Sequence, residues 1–217
     1  MSGHQFKLYH YWRSSSSWRV RWALATKGIE CELVPINLLT NEADQPDHLQ
    51  RNPLGYVPVL EVLQKDKNAW LLTESTAILE FLEELYPEPA LITGDSYQRA
   101  RIRQLAQIIN SDTQPLQNPH VVEKFSTDPA QKLQWSQLWI RKGLQAYEIV
   151  AKGSAGKFSI GDTVTLADLF LVPQCYNALR NEISLSEFPL LERIYSHSMG
   201  TDECKKSAPE IFKPSGQ

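Results

Sequence analysis

Hydrophobic and polar positions divide the chain into two stretches of different period. Through about residue 90 the pattern switches between strand and helix. Phe6-Lys7-Leu8-Tyr9-His10-Tyr11 is rich in β-formers, with apolar alternation. Ser17 to Lys27 places Val20, Ala23, Leu24 and Lys27 at helical spacings of three and four, and Gly28 follows where a left-handed cap is expected. Cys31 to Ile36 predicts a second strand and Asp44 to Arg51 a short helix. Val57 to Val62 and Ala69 to Leu72 predict two more strands around a polar turn, Gln64 to Asn68. Glu74 to Tyr86 predicts an amphipathic helix ended by Pro87 and Pro89. The order β-α-β-α-β-β-α implies a mixed sheet with helices on both faces.

Beyond Pro87-Glu88-Pro89 the period is helical throughout, over Tyr97 to Ser111, Pro129 to Ala151, Thr165 to Asn177 and Pro189 to His197. The expectation is therefore an α/β domain over residues 1–88 and an all-helical domain over 89–217. Thr165-Leu166-Ala167-Asp168 has the spacing of a capping box, with Val164 and Leu169 placed for the flanking staple. It reads as a folding device, with no catalytic role for Thr165 or Asp168.

Composition narrows the function. The 217 residues, 42% of them hydrophobic, suffice for one large or two small cores. Lys and Arg number 22 against 25 Asp and Glu, a net charge of −3, which leaves no basic footprint for nucleic acid. An anionic substrate must then be held by local cations. The start, MSGHQFKLYHYW, lacks the charged head and apolar core of a signal peptide, and no stretch approaches the ~20 apolar residues of a membrane span. Cys31, Cys175 and Cys204 form no CxxC pair, which argues against a disulfide framework or a zinc site and suits the reducing cytoplasm.

Three segments carry candidate chemistry. Arg13-Ser14-Ser15-Ser16-Ser17-Trp18-Arg19 joins the first strand to the first helix. A helix N-terminus offers unsatisfied N–H groups and positive polarity to an anion, and serine hydroxyls add donors. Simple N-capping would leave the same pattern. Val57-Pro58 precedes a strand, where a cis proline exposes the Val57 backbone to an extended peptide. Thr73-Glu74-Ser75 opens the third helix, a second anion site with a carboxylate beside it. Together they suit a small peptide bearing a thiol, a carboxylate and an ammonium group. Arg19 and Arg21 read as surface or ion-paired arginines, His10 and His120 as structural, and Trp12, Trp18 and Trp22 as packing residues.

Over nearly its whole length the chain resembles the zeta-class glutathione transferases, the family of maleylacetoacetate isomerases. The resemblance is carried by Tyr11-Trp12-Arg13-Ser14-Ser15, Trp18-Arg19-Val20-Arg21, Ala25 to Gly28, Asn52-Pro53 with Val57-Pro58, Glu74-Ser75, Gln114-Pro115-Leu116-Gln117-Asn118, and Leu166-Ala167-Asp168 through Leu171-Val172-Pro173-Gln174. It implies a thioredoxin-like N-terminal domain, an all-α C-terminal domain, glutathione as cofactor and a homodimer. By the same resemblance Ser14 bonds the glutathione sulfur, supported by Ser15 and the N–H groups of Ser16 and Ser17. Val57, followed by Pro58, pairs with the cysteinyl backbone, and Glu74 and Ser75 take the γ-glutamyl group. Gln114 reaches in from the helical domain; Arg180 grips a substrate carboxylate, with Arg13 and Asn118 on the substrate side. One position departs: the family's loop usually carries cysteine third, and this chain has Ser16. Maleylpyruvate isomerases resemble the same class and can lack that cysteine. The implied activity is cis–trans isomerisation of maleylacetoacetate in aromatic amino-acid catabolism. The alternatives are maleylpyruvate isomerase, a transferase acting on haloacids, and a glutathione-binding protein without chemistry.

Overall fold

β1 (Gln5–His10) is the strand on which the sheet is assembled. It pairs in parallel with β2 (Glu32–Pro35) and antiparallel with β3 (Val59–Leu63), and β3 pairs antiparallel with β4 (Trp70–Leu72), giving the order β2-β1-β3-β4. The computed structural model describes residues 5–63 and 69–214, so the expected turn at Gln64 to Asn68 lies outside the described residues. Alternation sends Phe6, Leu8 and His10 to one face, in register with Val62 and Leu60 of β3. That face is covered by α1 (Ser15–Lys27) and α3 (Ser75–Leu85), while α2 (Pro46–Arg51) leads into β3. Phe6 meets Tyr86 edge-on at 6.1 Å, Trp70 meets Phe81 at 5.2 Å, and His10 lies 3.2 Å from Arg21 of α1. On the other face Tyr9, Val59, Val34 and Leu71 join Tyr11, Trp12, Ile36, Ala43 and Val57 in an apolar cluster.

The end of α1 is fixed as its sequence suggests. Gly28 caps it at φ +62°, where a side chain would be strained. Lys27 donates to the Tyr86 and Pro89 carbonyls at 2.7 and 3.0 Å and pairs with Glu83 at 2.7 Å, locking α1 to the end of α3. The helix is buried almost all round, from Ser17 through Leu24. A segment from the far end of the chain covers part of it. At the end of α9 (Asp202–Ser207), Ser207 accepts from the indole N–H of Trp18 at 3.1 Å through its hydroxyl, and from Arg21 Nε at 3.0 Å through its carbonyl.

Residues 202–217 therefore group with Met1–Pro89, and Ala90–Thr201 form the second unit. This differs from the expected division at 88/89, which placed everything after it in one helical domain; the buried polar atoms of α1 recruit the last helix. The second unit consists of α4 (Ser96–Asn110), α5 (Pro119–Phe125), α6 (Pro129–Ala151), α7 (Leu166–Arg180) and α8 (Pro189–Met199). The periodic pattern missed α5 and α9 because, at 7 and 6 residues, each is too short to show a period.

In the second unit Asp168 is fully buried and holds the start of α7. Its carboxylate accepts from the Thr165 N–H (2.8 Å), the Thr165 hydroxyl (2.9 Å) and the Ser159 N–H (2.8 Å). Burial pushes its pKa up, against the pull of these donors. Asp168→Ala strands two buried N–H groups and removes the cap, so urea unfolding should show a loss of about 3 kcal/mol. A loss below about 1 kcal/mol would mean that water replaces the carboxylate.

Candidate active site

The serine loop is built around a turn between Tyr11 and Ser14. Tyr11 and Trp12 are buried in the apolar cluster, and the Ser14 N–H donates to the Tyr11 carbonyl at 3.1 Å. Ser14 is the N-cap of α1: its Oγ accepts from the Ser17 N–H at 3.2 Å, and its carbonyl accepts from Trp18 at 2.9 Å. The cap uses only an acceptor lone pair, so the hydroxyl proton can still be donated to an anion. Ser15 and Ser16 are half-buried in the first turn. Ser17 is turned inward, its Oγ accepting from the Tyr11 N–H at 3.4 Å and its N–H held by Ser14. The first turn of α1 has no acidic residue, so nothing there neutralises the helix end. Arg13 is half-buried with its guanidinium carbon 5.4 Å from the centroid of the Trp12 ring.

Arg19 and Arg21 are buried behind the loop, 1% and 3% exposed, and burial pushes each pKa down to about 9. Neither sits on the surface. Arg19 Nη1 donates to Ser75 Oγ at 3.1 Å, tying α1 to the start of α3. Arg21 faces His10, whose pKa is pushed down to about 4 by burial and then by the guanidinium. A neutral His10 can accept at Nδ1 the proton that Arg21 offers.

The second segment is braced from α2. His48, within α2, and Asn52, the residue that follows its end, both reach the Tyr56 carbonyl at 3.0 Å. Facing a carbonyl, the His48 Nε2 carries the proton. Val57 follows, joined to Pro58 by a cis peptide bond and packed in the cluster with Tyr11 and Trp12. Among the described residues none takes up the Val57 N–H or C=O. Sequence reasoning quoted Asn52 but missed His48; its i, i+4 spacing from Asn52 was the available signal.

Glu74, in the third segment, is exposed and stands at φ +66°, ψ 110°, a conformation costing a non-glycine residue ~1–3 kcal/mol. It immediately precedes Ser75, the first residue of α3, whose first turn also lacks an acid. The Arg19–Ser75 bond and the shared apolar cluster thus link the serine loop to both other segments. The acid-free first turns of α1 and α3, half-buried hydroxyls, the Glu74 carboxylate and an untaken strand-like N–H and C=O fit a thiol peptide of the size and charge of glutathione.

In the second unit, Gln114 opens the 3₁₀ turn Gln114–Gln117. Gln117 Nε2 donates to Gln174 Oε1 and Asn177 Nδ2 donates to Gln117 Oε1, both at 2.6 Å, so this turn is fastened to α7. Arg180, exposed, is the last residue of α7. Asn118 Oδ1 caps α5 by accepting from the His120 N–H at 3.1 Å, which leaves the amide NH₂ for other partners. Among the described residues no group of three His, Cys, Asp or Glu could hold a metal, and no helix is long and apolar enough to cross a membrane. None of the three cysteines is in a disulfide; burial pushes Cys31 and Cys204 up to about 12 and raises Cys175 as well.

Residues 4–84 match the family model described as glutathione S-transferase, N-terminal domain. A zeta-class glutathione S-transferase of Euphorbia esula is 43% identical over 95% of this chain and 91% of its own length. A maleylpyruvate isomerase of a Ralstonia species is 37% identical over 94% and 96%. The crystal structure of maleylacetoacetate isomerase from Anaeromyxobacter dehalogenans, with glutathione bound in its active site, superposes at a TM-score of 0.90 with 43% identity, covering 100% of both chains.

The His10 environment predicts a pH effect on stability. Its folded pKa lies below its unfolded value, so the folded state binds fewer protons between the two. The stability held above pH 6.5 is lost as pH falls toward about 4, up to roughly 3 kcal/mol. Urea unfolding at pH 7 and 4.5 should show wild type losing more than His10→Gln by an amount of that order. Equal losses would place the acid sensitivity elsewhere.

Proposed function

Because the chain belongs to the glutathione S-transferase family, in its zeta class, we propose that it is a glutathione-dependent isomerase converting maleylacetoacetate to fumarylacetoacetate. The observation that carries this is the α1 mouth, where Ser14 caps the helix with its proton still available to donate and the first turn holds no acid.

Bound glutathione supplies a sulfur nucleophile that adds reversibly to the maleyl double bond, allows rotation, and leaves unchanged as the trans alkene forms. The chain's part is to hold that sulfur as a thiolate. A thiol of pKa ~8.5 is mostly protonated at neutral pH, and lowering it by about two units takes ~2.7 kcal/mol. The bare end of α1 and a hydrogen bond from Ser14 are of that size, at up to ~2 and ~1.5–3 kcal/mol. Ser15 and the N–H of Ser16 add to the polarity, while Ser17 acts through the cap. Val57, ahead of Pro58, offers its backbone to the cysteinyl unit; Glu74 takes the γ-glutamyl ammonium, and Ser75 with the end of α3 takes its carboxylate. Gln114 contacts glutathione, and Arg180 orients a substrate carboxylate, with Arg13 and Asn118 assigned to the same substrate.

Maleylpyruvate is the second substrate to be weighed. Ser16 favours it, since relatives with that activity can lack the loop cysteine, and the Ralstonia enzyme is similar over nearly the whole chain. Assays of the purified protein on both maleyl compounds and a haloacid, with glutathione counted before and after, separate the possibilities. Isomerisation leaves glutathione undiminished; consumption with the haloacid alone would make the chain a transferase. We also read it as a cytoplasmic homodimer, a reading supported by the three cysteines standing outside any disulfide and by the exposed Trp70 and Tyr97.

Ser14→Ala should lower turnover at saturating glutathione by at least ~10-fold, through loss of a hydrogen bond to a charged group. Unchanged turnover would move the sulfur to another donor, such as Ser15. Arg180→Ala should raise KM for the maleyl substrate while calorimetry finds glutathione affinity within about twofold of wild type, as expected if uniform substrate binding alone is lost. A large fall in glutathione affinity would assign Arg180 to the peptide instead.

A further inference from the structure

Arg21 joins parts of the chain that are far apart in sequence. Its Nη2 donates to the Trp12 carbonyl at 3.0 Å and its Nε to the Ser207 carbonyl at 3.0 Å. Its Nη1 lies 3.2 Å from His10 Nδ1 and donates to the Tyr11 carbonyl at 3.4 Å. That Tyr11 carbonyl also accepts the Ser14 N–H, and the Tyr11 N–H is taken by Ser17 Oγ. The turn that presents Ser14 is therefore pinned on its inner side by one guanidinium.

The other side of the guanidinium is closed by the end of the chain. Its carbon stands 4.7 Å from the centroid of the Phe212 ring, and Phe212 meets His10 edge-on at 5.6 Å. Ser207, which supplies the third carbonyl, is itself fixed by Trp18 and by its own bond to the Cys204 carbonyl at 2.9 Å. His10 on β1 and Glu210 in the C-terminal segment are the titratable groups that act on Arg21 or face it. Lys213 follows, 5.8 Å from the Trp12 ring.

We propose that Ser207 and Phe212, in the C-terminal segment, are positioning residues of the thiol site, acting through Arg21 on the Tyr11–Ser14 turn. This rests on the assignment of Ser14 to the glutathione sulfur made above. A planar fork reaches the Tyr11, Trp12 and Ser207 carbonyls together, which a lysine ammonium on its flexible stem does not reproduce. Without the Phe212 ring, water reaches the guanidinium and the turn loosens. A shift of about 1 Å at such a group costs up to ~100-fold in rate.

Full-length Arg21→Lys, Phe212→Leu and Ile211→Ala separate positioning from packing; Ile211, 65% exposed, is the control. For each, kcat and kcat/KM are measured against pH on the maleyl substrate, together with KM for glutathione and Tm. Arg21→Lys and Phe212→Leu should raise the apparent thiol pKa by about one to one and a half units and lower kcat at pH 7 roughly 3–8-fold. At about pH 9 kcat should return to within ~2-fold, with KM for glutathione changed less than ~3-fold, because the Val57, Glu74 and Ser75 contacts remain. Ile211→Ala should superpose on wild type. Should Arg21→Lys fail to fold, Phe212→Leu decides alone. Profiles superposing on wild type while Tm falls would overturn the proposal and leave Arg21 a packing residue. A wild type without glutathione-dependent activity at any pH would overturn the functional assignment itself, and the positioning role with it.

Discussion

The first turn of α1 has to be capped without being neutralised. A helix start with no partner for its N–H groups frays, yet an acidic cap would repel the anion that the site is built to hold. Ser14 meets both conditions because a hydroxyl accepts and donates at once: it takes the Ser17 N–H and keeps its proton. The rest of the first unit follows from keeping that residue in place. Tyr11 is held at both its N–H and its carbonyl, Trp12 is buried in the apolar cluster, and Arg19 and Arg21 tie α1 to α3 and to the end of the chain.

Burying two arginines in one helix is costly, since each guanidinium leaves water. Their hydrogen bonds to Ser75 and to three backbone carbonyls account for much of the compensation. The charges also lie behind two helix starts whose first turns hold no acid, so their field adds to the polarity of both.

Much of this was legible in the sequence where a local period or a local cap decides the outcome. The limits of α6 were read as Pro129 to Ala151, and Gly28 and the Thr165–Asp168 box fell where local chemistry requires them. What was not legible depends on tertiary contacts. The burial of Arg19 and Arg21 could not be read from their own segment, because it depends on partners as distant as Ser75, Ser207 and Phe212. The same holds for α9, too short to show a period and grouped with the first unit by what it covers. The serine run itself did not reveal which hydroxyl faces outward; the inward turn of Ser17 is set by the Tyr11 N–H.

The claim on which the account rests is that this helix mouth stabilises a thiolate. The most direct measurement is titration of the glutathione thiol in its complex with the wild-type protein, followed by ultraviolet absorbance of the thiolate. The account predicts an apparent pKa about two units below the ~8.5 of a free thiol, so that most of the bound peptide is ionised at pH 7. A bound thiol that titrates with the pKa of free glutathione would contradict it.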